Sequence, residues 1–158
     1  MRNVIWVLMA GAMLFLSSCG DGTTTPGSHD LTGLEGTWDY TLTAHGTVDG
    51  PGGSSADGQT ETGYWVISTN SVIDQNGDPW GWSYDGSTLT LDYGESMSMP
   101  ADPACGEILV TTSTELAIPV TSGATAAVVS GTATIDFDAE LCDDVTGSLP
   151  ADGNMTKR

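Results

Sequence analysis

The chain has 158 residues, of which 3 are basic and 21 acidic, for a formal net charge of −18, yet only 15% of its residues are charged and 39% are hydrophobic. That is enough apolar material for the core of one ordinary domain, and it excludes a wholly disordered acidic tail. It also excludes wide-surface nucleic-acid binding. Affinity for a polyphosphate comes from Lys and Arg displacing counterions, and the chain has almost none.

The first element is an uncharged run from Val4 to Leu16 behind Met1-Arg2-Asn3. As a helix it spans roughly 20 Å, short of the roughly 30 Å hydrocarbon core, so a membrane-crossing helix is disfavoured. The run fits the h-region of a signal peptide, about 7 to 15 apolar residues, with Arg2 as its basic n-region. Leu16-Ser17-Ser18-Cys19 resembles the lipobox of bacterial lipoproteins. The resemblance implies that residues 1–18 are removed and that Cys19 becomes a lipidated N-terminus. It further implies an exported membrane lipoprotein on the periplasmic or cell-surface side, whose membrane partner is reached through the lipid on Cys19. A plain secretory signal cut after Ser17 or Ser18, or a buried apolar helix, is the alternative. Several acyl chains, at about 0.8 kcal/mol per buried methylene, hold a protein on a membrane far more durably than one. Removal of residues 1–18 takes Arg2 and no acid, which leaves 2 basic against 21 acidic residues, or −19.

Three cysteines in an exported protein leave an odd one. With Cys19 lipidated, Cys105 and Cys142 remain to form a disulfide. Closing a loop of about 38 residues stabilises by roughly 3 to 4 kcal/mol in the chain-entropy model. A reactive or metal-binding thiol is the alternative, but no basic neighbour depresses either pKa and no Cys or His stands at ligand spacing.

Residues 19–31 read as the lipidated Cys and a flexible tether, since Gly20 to Asp30 contains no apolar residue. A single β domain is expected over 32–158. Gly36 to Ala44 alternates polar and apolar, the period of a half-buried strand, with Trp38, Tyr40 and Leu42 inward. Gly46 to Gly58 is a Gly-rich loop. Strands follow at Thr62–Thr69 and Ser71–Gln75, then at Trp80–Tyr84 and Ser87–Tyr93. Asn76-Gly77 and Asp85-Gly86 suit the positive φ angles of type I′ turns, giving consecutive hairpins. Further strands are read at Ile108–Thr112, Thr114–Val120, Ala124–Val129 and Thr132–Cys142, with a last one at Gly153–Arg158. No window after the apolar N-terminal run carries a helical stripe. The fold expected is an antiparallel up-and-down barrel, with a two-sheet β-sandwich as the alternative.

Leu34-Glu35-Gly36-Thr37-Trp38 resembles the Gly-x-Trp opening strand of small bacterial lipocalin-like lipoproteins, and Asp85-Gly86-Ser87-Thr88-Leu89-Thr90-Leu91 is similar to their mid-barrel hairpin. The resemblance covers two short windows. It implies a barrel of lipocalin-like type with a hydrophobic interior and an open mouth. The Ala/Thr/Val-rich stretch from Thr111 to Ala133 and the two downstream cysteines depart from it.

Trp80, Trp82 and Tyr84 stand at alternate positions and form one aromatic face, which lines a ligand cavity or simply packs a core. Together with Trp65 and Leu91 they are the candidate ligand-binding residues. Asp74, Asn76 and Asp78 resemble the beginning of a calcium loop, but the Gly and Glu required further on are replaced by Pro79 and Asp85. A hydrated turn is preferred there, so no cofactor is expected and Ca2+ is the alternative. Asp136, Asp138 and Glu140 are read as the wet face of a strand opposite Ile135, Phe137, Ala139 and Leu141. His45 is read as a loop residue. No nucleophile elbow, zinc motif or phosphate loop occurs, so a non-enzyme is expected. The partners expected are a small apolar or amphipathic ligand or an envelope protein. The rival functions are a sandwich-type adhesion module and an envelope glycan hydrolase built on two inward carboxylates.

Overall fold

Alternating apolar and polar residues, punctuated by Gly-containing turns, leave the backbone one inexpensive way to bury its apolar parity, a sheet closed on itself. In the computed structural model, which describes residues 29–50, 53–54, 57–102 and 104–158, the chain does this with strands alone. They are β1 (Gly36–Ala44), β2 (Asp49–Gly50), β3 (Gly53–Ser54), β4 (Thr60–Ser68), β5 (Ser71–Asp74), β6 (Pro79–Tyr84), β7 (Thr88–Asp102), β8 (Gly106–Pro119), β9 (Ala126–Ala139) and β10 (Val145–Lys157). Eight of them form a closed barrel in the order β1-β10-β9-β8-β7-β6-β5-β4, every pair antiparallel, while β2 and β3 form a separate small ribbon. Each barrel strand therefore lies beside its neighbour in the sequence. That topology has no Greek-key crossing and overturns the sandwich alternative. Residues 1–28, with the expected signal segment, Cys19 and most of the tether, lie outside the described residues.

Several strand boundaries differ from expectation, each for a physical reason. The two short strands read on either side of Ser113 are one strand, β8, and those on either side of Gly131 are one strand, β9. Thr111-Thr112-Ser113-Thr114 lacks apolar alternation, yet its backbone stays in the ladder, with Thr112 opposite Glu95 and Ile135. β10 begins eight residues before the expected last strand, and β7 runs nine beyond Tyr93. The two turns are longer than two-residue hairpins. In each, an aspartate carboxylate organises the backbone beside a Gly at positive φ. Asp85 Oδ1 accepts from the amides of Ser87 (2.8 Å) and Thr88 (2.7 Å).

One end of the barrel is sealed. Leu31 and Leu34, both fully buried, fold under it with Trp38, Tyr84, Leu89, Ile118, Val120 and Met155. The polar groups there are satisfied in place: Trp38 Nε1 donates to the Leu34 carbonyl (2.7 Å), and Tyr84 Oη donates to the Val120 carbonyl (3.2 Å). The amides of His29, Leu31 and Gly123 donate to the carbonyls of Tyr84, Thr69 and Gly33. At the other end the wall is uneven. β7 to β10 are 13 to 15 residues long, whereas β5 and β6 have only 4 and 6. The tall side carries a second apolar cluster of Val48, Ile108, Val110, Ile135, Phe137, Ala139 and Leu149. The Cys105–Cys142 disulfide joins the β7–β8 and β9–β10 connections above that cluster, Cα atoms 5.0 Å apart.

The outward face is Thr, Ser, Asp and Asn along most strands, and the only exposed large hydrophobics among the described residues are Leu109, Val128 and Leu141. A barrel that spans a bilayer needs an outward apolar band about 25 Å tall, and this one does not present it. Ile135, Phe137 and Ala139 are buried opposite Asp136 and Asp138, as the alternation implies, but Leu141 falls in the turn beyond β9 and is exposed.

Candidate functional site

Between the two apolar clusters the inward positions change character. Leu42, Glu61, Tyr93, Glu95, Thr112, Thr114, Ala133 and Ala151 are only half-buried, although strand pairing places Tyr93, Thr114, Ala133 and Leu149 on one face. The interior is therefore two packed ends separated by a band that solvent reaches. An eight-stranded barrel has room for side chains or for one small ligand, and small residues on β8 to β10 favour the second use of this band.

The opposite wall is aromatic. Tyr40 stacks on Trp65 with ring centroids 4.1 Å apart, Trp65 meets Trp80 edge-on at 5.6 Å, and Trp80 stacks on Tyr93 at 5.1 Å. The ladder depends on a missing side chain. A Cβ at Gly63 would lie 2.6 Å from Tyr40 Oη, so only Gly lets the Tyr40 ring cross that position to reach its partners. Trp65 and Trp80 are fully or almost fully buried, and the indole Nε1 of each lacks a hydrogen-bond partner. Buried donors are nearly always satisfied, and leaving one bare costs roughly 1 to 3 kcal/mol.

Carboxylates border the ladder. Tyr40 Oη donates to Glu61 Oε1 (2.8 Å) at one end, and the Glu95 charge acts on Tyr93 at the other. Asp74, buried and opposite Trp65 in the register, and Asp78 in the next turn contribute further negative charge. Burial raises the Glu61 carboxyl above its ordinary value, with the Asp74 charge acting in the same direction against the Tyr40 hydrogen bond. Burial and then the Asp78 charge raise Glu95. Burial and the neighbouring acids push Tyr93 up to about 12 and hold the Tyr40 phenol protonated throughout the accessible range. Among the described residues neither Lys nor Arg faces this group: Lys157 lies by Trp38 at the sealed end, and Arg158 pairs with Asp39 outside the barrel (2.7 Å).

The candidate ligand residues divide accordingly. Trp65 and Trp80 belong to the same buried cluster as the sealed end and reach the half-buried Tyr93 through the aromatic ladder. Trp82, Tyr84 and Leu91 pack in the sealed-end core, where Trp82 and Leu91 are paired across β6 and β7. Asp74 Oδ1 accepts from the amides of Asn76 (2.7 Å) and Asp78 (3.0 Å), so the would-be calcium loop is a carboxylate-organised turn. Among the described residues, no group of three or more His, Cys, Asp or Glu is arranged to hold a metal ion. His45 sits in the loop after β1, against Asp152. Glu61 and Glu95 escaped notice in the sequence, although each carried a signal. Glu61 shares parity with Trp65 and Ile67, and Glu95 with Leu89, Leu91 and Tyr93, so both are charges on the apolar side of a strand.

A stability profile follows from these shifts. Glu61 and Glu95 bind protons more tightly in the folded than in the unfolded chain. Their contribution is full below the ordinary glutamate value of 4.5 and is lost as pH rises through the raised values. Exposed Asp39 and Asp85 are shifted down, chiefly by hydrogen bonds from Arg158 and Ser87, so what they contribute is lost only as pH falls below 3.8. Thermal melting is expected to give a higher midpoint at about pH 5 than at pH 7, and a lower one again at about pH 3. Glu61→Gln should shrink the difference between pH 7 and pH 5. A midpoint that falls from pH 7 to pH 5 contradicts the assignment.

No family model, curated protein or solved structure matches this chain, so its reading rests on its own geometry.

Proposed function

We propose that the protein is an exported, lipid-anchored binding barrel of lipocalin-like type, without enzymatic activity, that takes a small amphipathic ligand through the short-stranded side of its open end. The observation that carries this reading is the half-buried band between two packed clusters, with two buried indoles whose N–H groups have no acceptor. A chain that merely filled its barrel would bury that band and satisfy those donors. The Cys105–Cys142 disulfide supports an oxidising compartment. The lipobox-like Leu16-Ser17-Ser18-Cys19 supports a membrane anchor, and the polar outer wall fits a domain held beside the bilayer by lipid.

The test uses the full chain expressed with its N-terminal segment in a bacterial host and extracted from membranes. Its intact mass should equal that of residues 19–158 plus acyl groups. Titration with the neutral fluorescent amphiphile N-phenyl-1-naphthylamine should saturate at one site, and Trp65→Ala should abolish that signal while Val128→Ala leaves it unchanged. An unmodified mass refutes the anchor, and failure to bind any amphiphile refutes the binding barrel.

A further inference from the structure

We propose that the ligand's polar end is an organic ammonium group with a neutral oxygen acceptor beside it, as in an amino alcohol, seated between Glu61 and Glu95 against the Trp65–Trp80 pair. The inference rests on the binding-barrel reading and names the chemistry of its ligand.

Two independent features of one wall require it. The first is charge. Glu61 on β4, Asp74 on β5, Asp78 in the β5–β6 turn and Glu95 on β7 all border the band, and no Lys, Arg or His among the described residues faces them. Burying carboxylates without a counter-charge is expensive, and a cation from outside relieves all four together. The second is the pair of indoles. In the ladder Tyr40–Trp65–Trp80–Tyr93, the two unpartnered N–H groups belong to the middle rings, Glu61 is bonded to Tyr40 at one end, and Glu95 stands two residues from Tyr93 on the same face of β7 at the other. A cation alone satisfies the carboxylates and leaves the indoles bare. A neutral acceptor alone does the reverse. A molecule that carries an ammonium next to a hydroxyl, ether or carbonyl oxygen satisfies both.

Aromatic faces select which cation. A wall of Trp and Tyr attracts a soft, poorly hydrated ammonium through ring quadrupoles, whereas a metal ion needs converging oxygen ligands, which the described residues do not supply. An anionic lipid headgroup or fatty-acid carboxylate is repelled by the same four acids.

Calorimetry on the full chain at pH 7 tests this with matched pairs: choline against its neutral isostere 3,3-dimethylbutan-1-ol, and tyramine against 4-ethylphenol. At least one ammonium is expected to bind about tenfold or more tightly than its neutral partner. Glu61→Gln and Glu95→Gln should each weaken that ammonium several-fold and leave the neutral partner unchanged, with the folded state of each variant checked by its melting midpoint. Ammonium and neutral members binding alike, or N-phenyl-1-naphthylamine binding with no ammonium able to displace it, overturns the charge assignment and leaves the binding barrel standing. Failure of the naphthylamine as well as of every ammonium overturns both.

Discussion

Trp38→Ala is expected to remove about 3 to 5 kcal/mol of folding stability. Trp38, on β1, is fully buried at the sealed end against the turn that carries Leu31 and Leu34. A Trp buries about 150 to 250 Å² and its deletion leaves a cavity that a closed barrel collapses poorly. The indole also donates to the Leu34 carbonyl at 2.7 Å, so the variant leaves a buried acceptor bare, itself worth about 1 to 3 kcal/mol. Urea unfolding monitored by circular dichroism measures the total. Trp38→Phe separates the parts, because it retains most of the volume and lacks the donor; its loss should be less than half as large. The damage should also spread in a defined direction. The amides of Leu31 and Gly123 donate to the carbonyls of Thr69 and Gly33, so loosening the turn should speed hydrogen exchange at both while Thr112 and Ile135 in the tall wall stay protected. A loss below about 2 kcal/mol for Trp38→Ala would mean that Leu31 and Leu34 seal the barrel without it.

The inward faces of β1 and β6 were legible in the sequence because their residues obey period 2. Trp38, Tyr40 and Leu42 alternate with Asp39 and Thr41, and Trp80, Trp82 and Tyr84 alternate with Gly81 and Ser83, so each strand declares which parity it buries. Sequential hairpins joined by Asn76-Gly77 and Asp85-Gly86 then leave little choice but neighbour-to-neighbour pairing. The tall wall was harder to read. Ser96, Met97, Ser98 and Met99 do alternate, but Gly94 and Glu95 separate them from the apolar run that ends at Tyr93, and Thr112 and Thr114 occupy inward positions that a packed core would fill with aliphatic groups. The same interruption hid the site. Polar residues on the inward parity read as loop in a sequence, and in the folded barrel they line the band that solvent reaches. The packing of Trp82, Tyr84 and Leu91 in the buried cluster could not be read from parity, which places a side chain inside without saying at which height.

Replacing both Cys105 and Cys142 by Ser is expected to cost roughly 3 to 4 kcal/mol, from the entropy of closing the intervening chain in the unfolded state. The two cysteines are separated by 37 positions, which include all of β8 and β9. The cross-link therefore constrains a β8–β9 hairpin that pairs through at least ten residues on each strand in the folded barrel. Its position concentrates the effect. Both cysteines pack on the second apolar cluster, where Val48 from the loop after β1 also sits on Gly147 of β10. Without the link, the tall wall above the half-buried band is held by that small cluster alone, and the sealed end keeps Trp38 and its neighbours. Urea unfolding of the double variant should shift to a lower midpoint with a somewhat steeper slope, because the unlinked unfolded chain is less compact and exposes more surface. Exchange should rise first at Ile108 and Phe137. The reducing agent should then matter only to the native protein: dithiothreitol is expected to bring it down to the stability of the variant and to leave the variant unmoved. If the double variant matches the native protein within about 1 kcal/mol, the hairpin is already restrained in the unfolded chain, and the disulfide serves the rigidity of the tall wall more than the stability of the barrel.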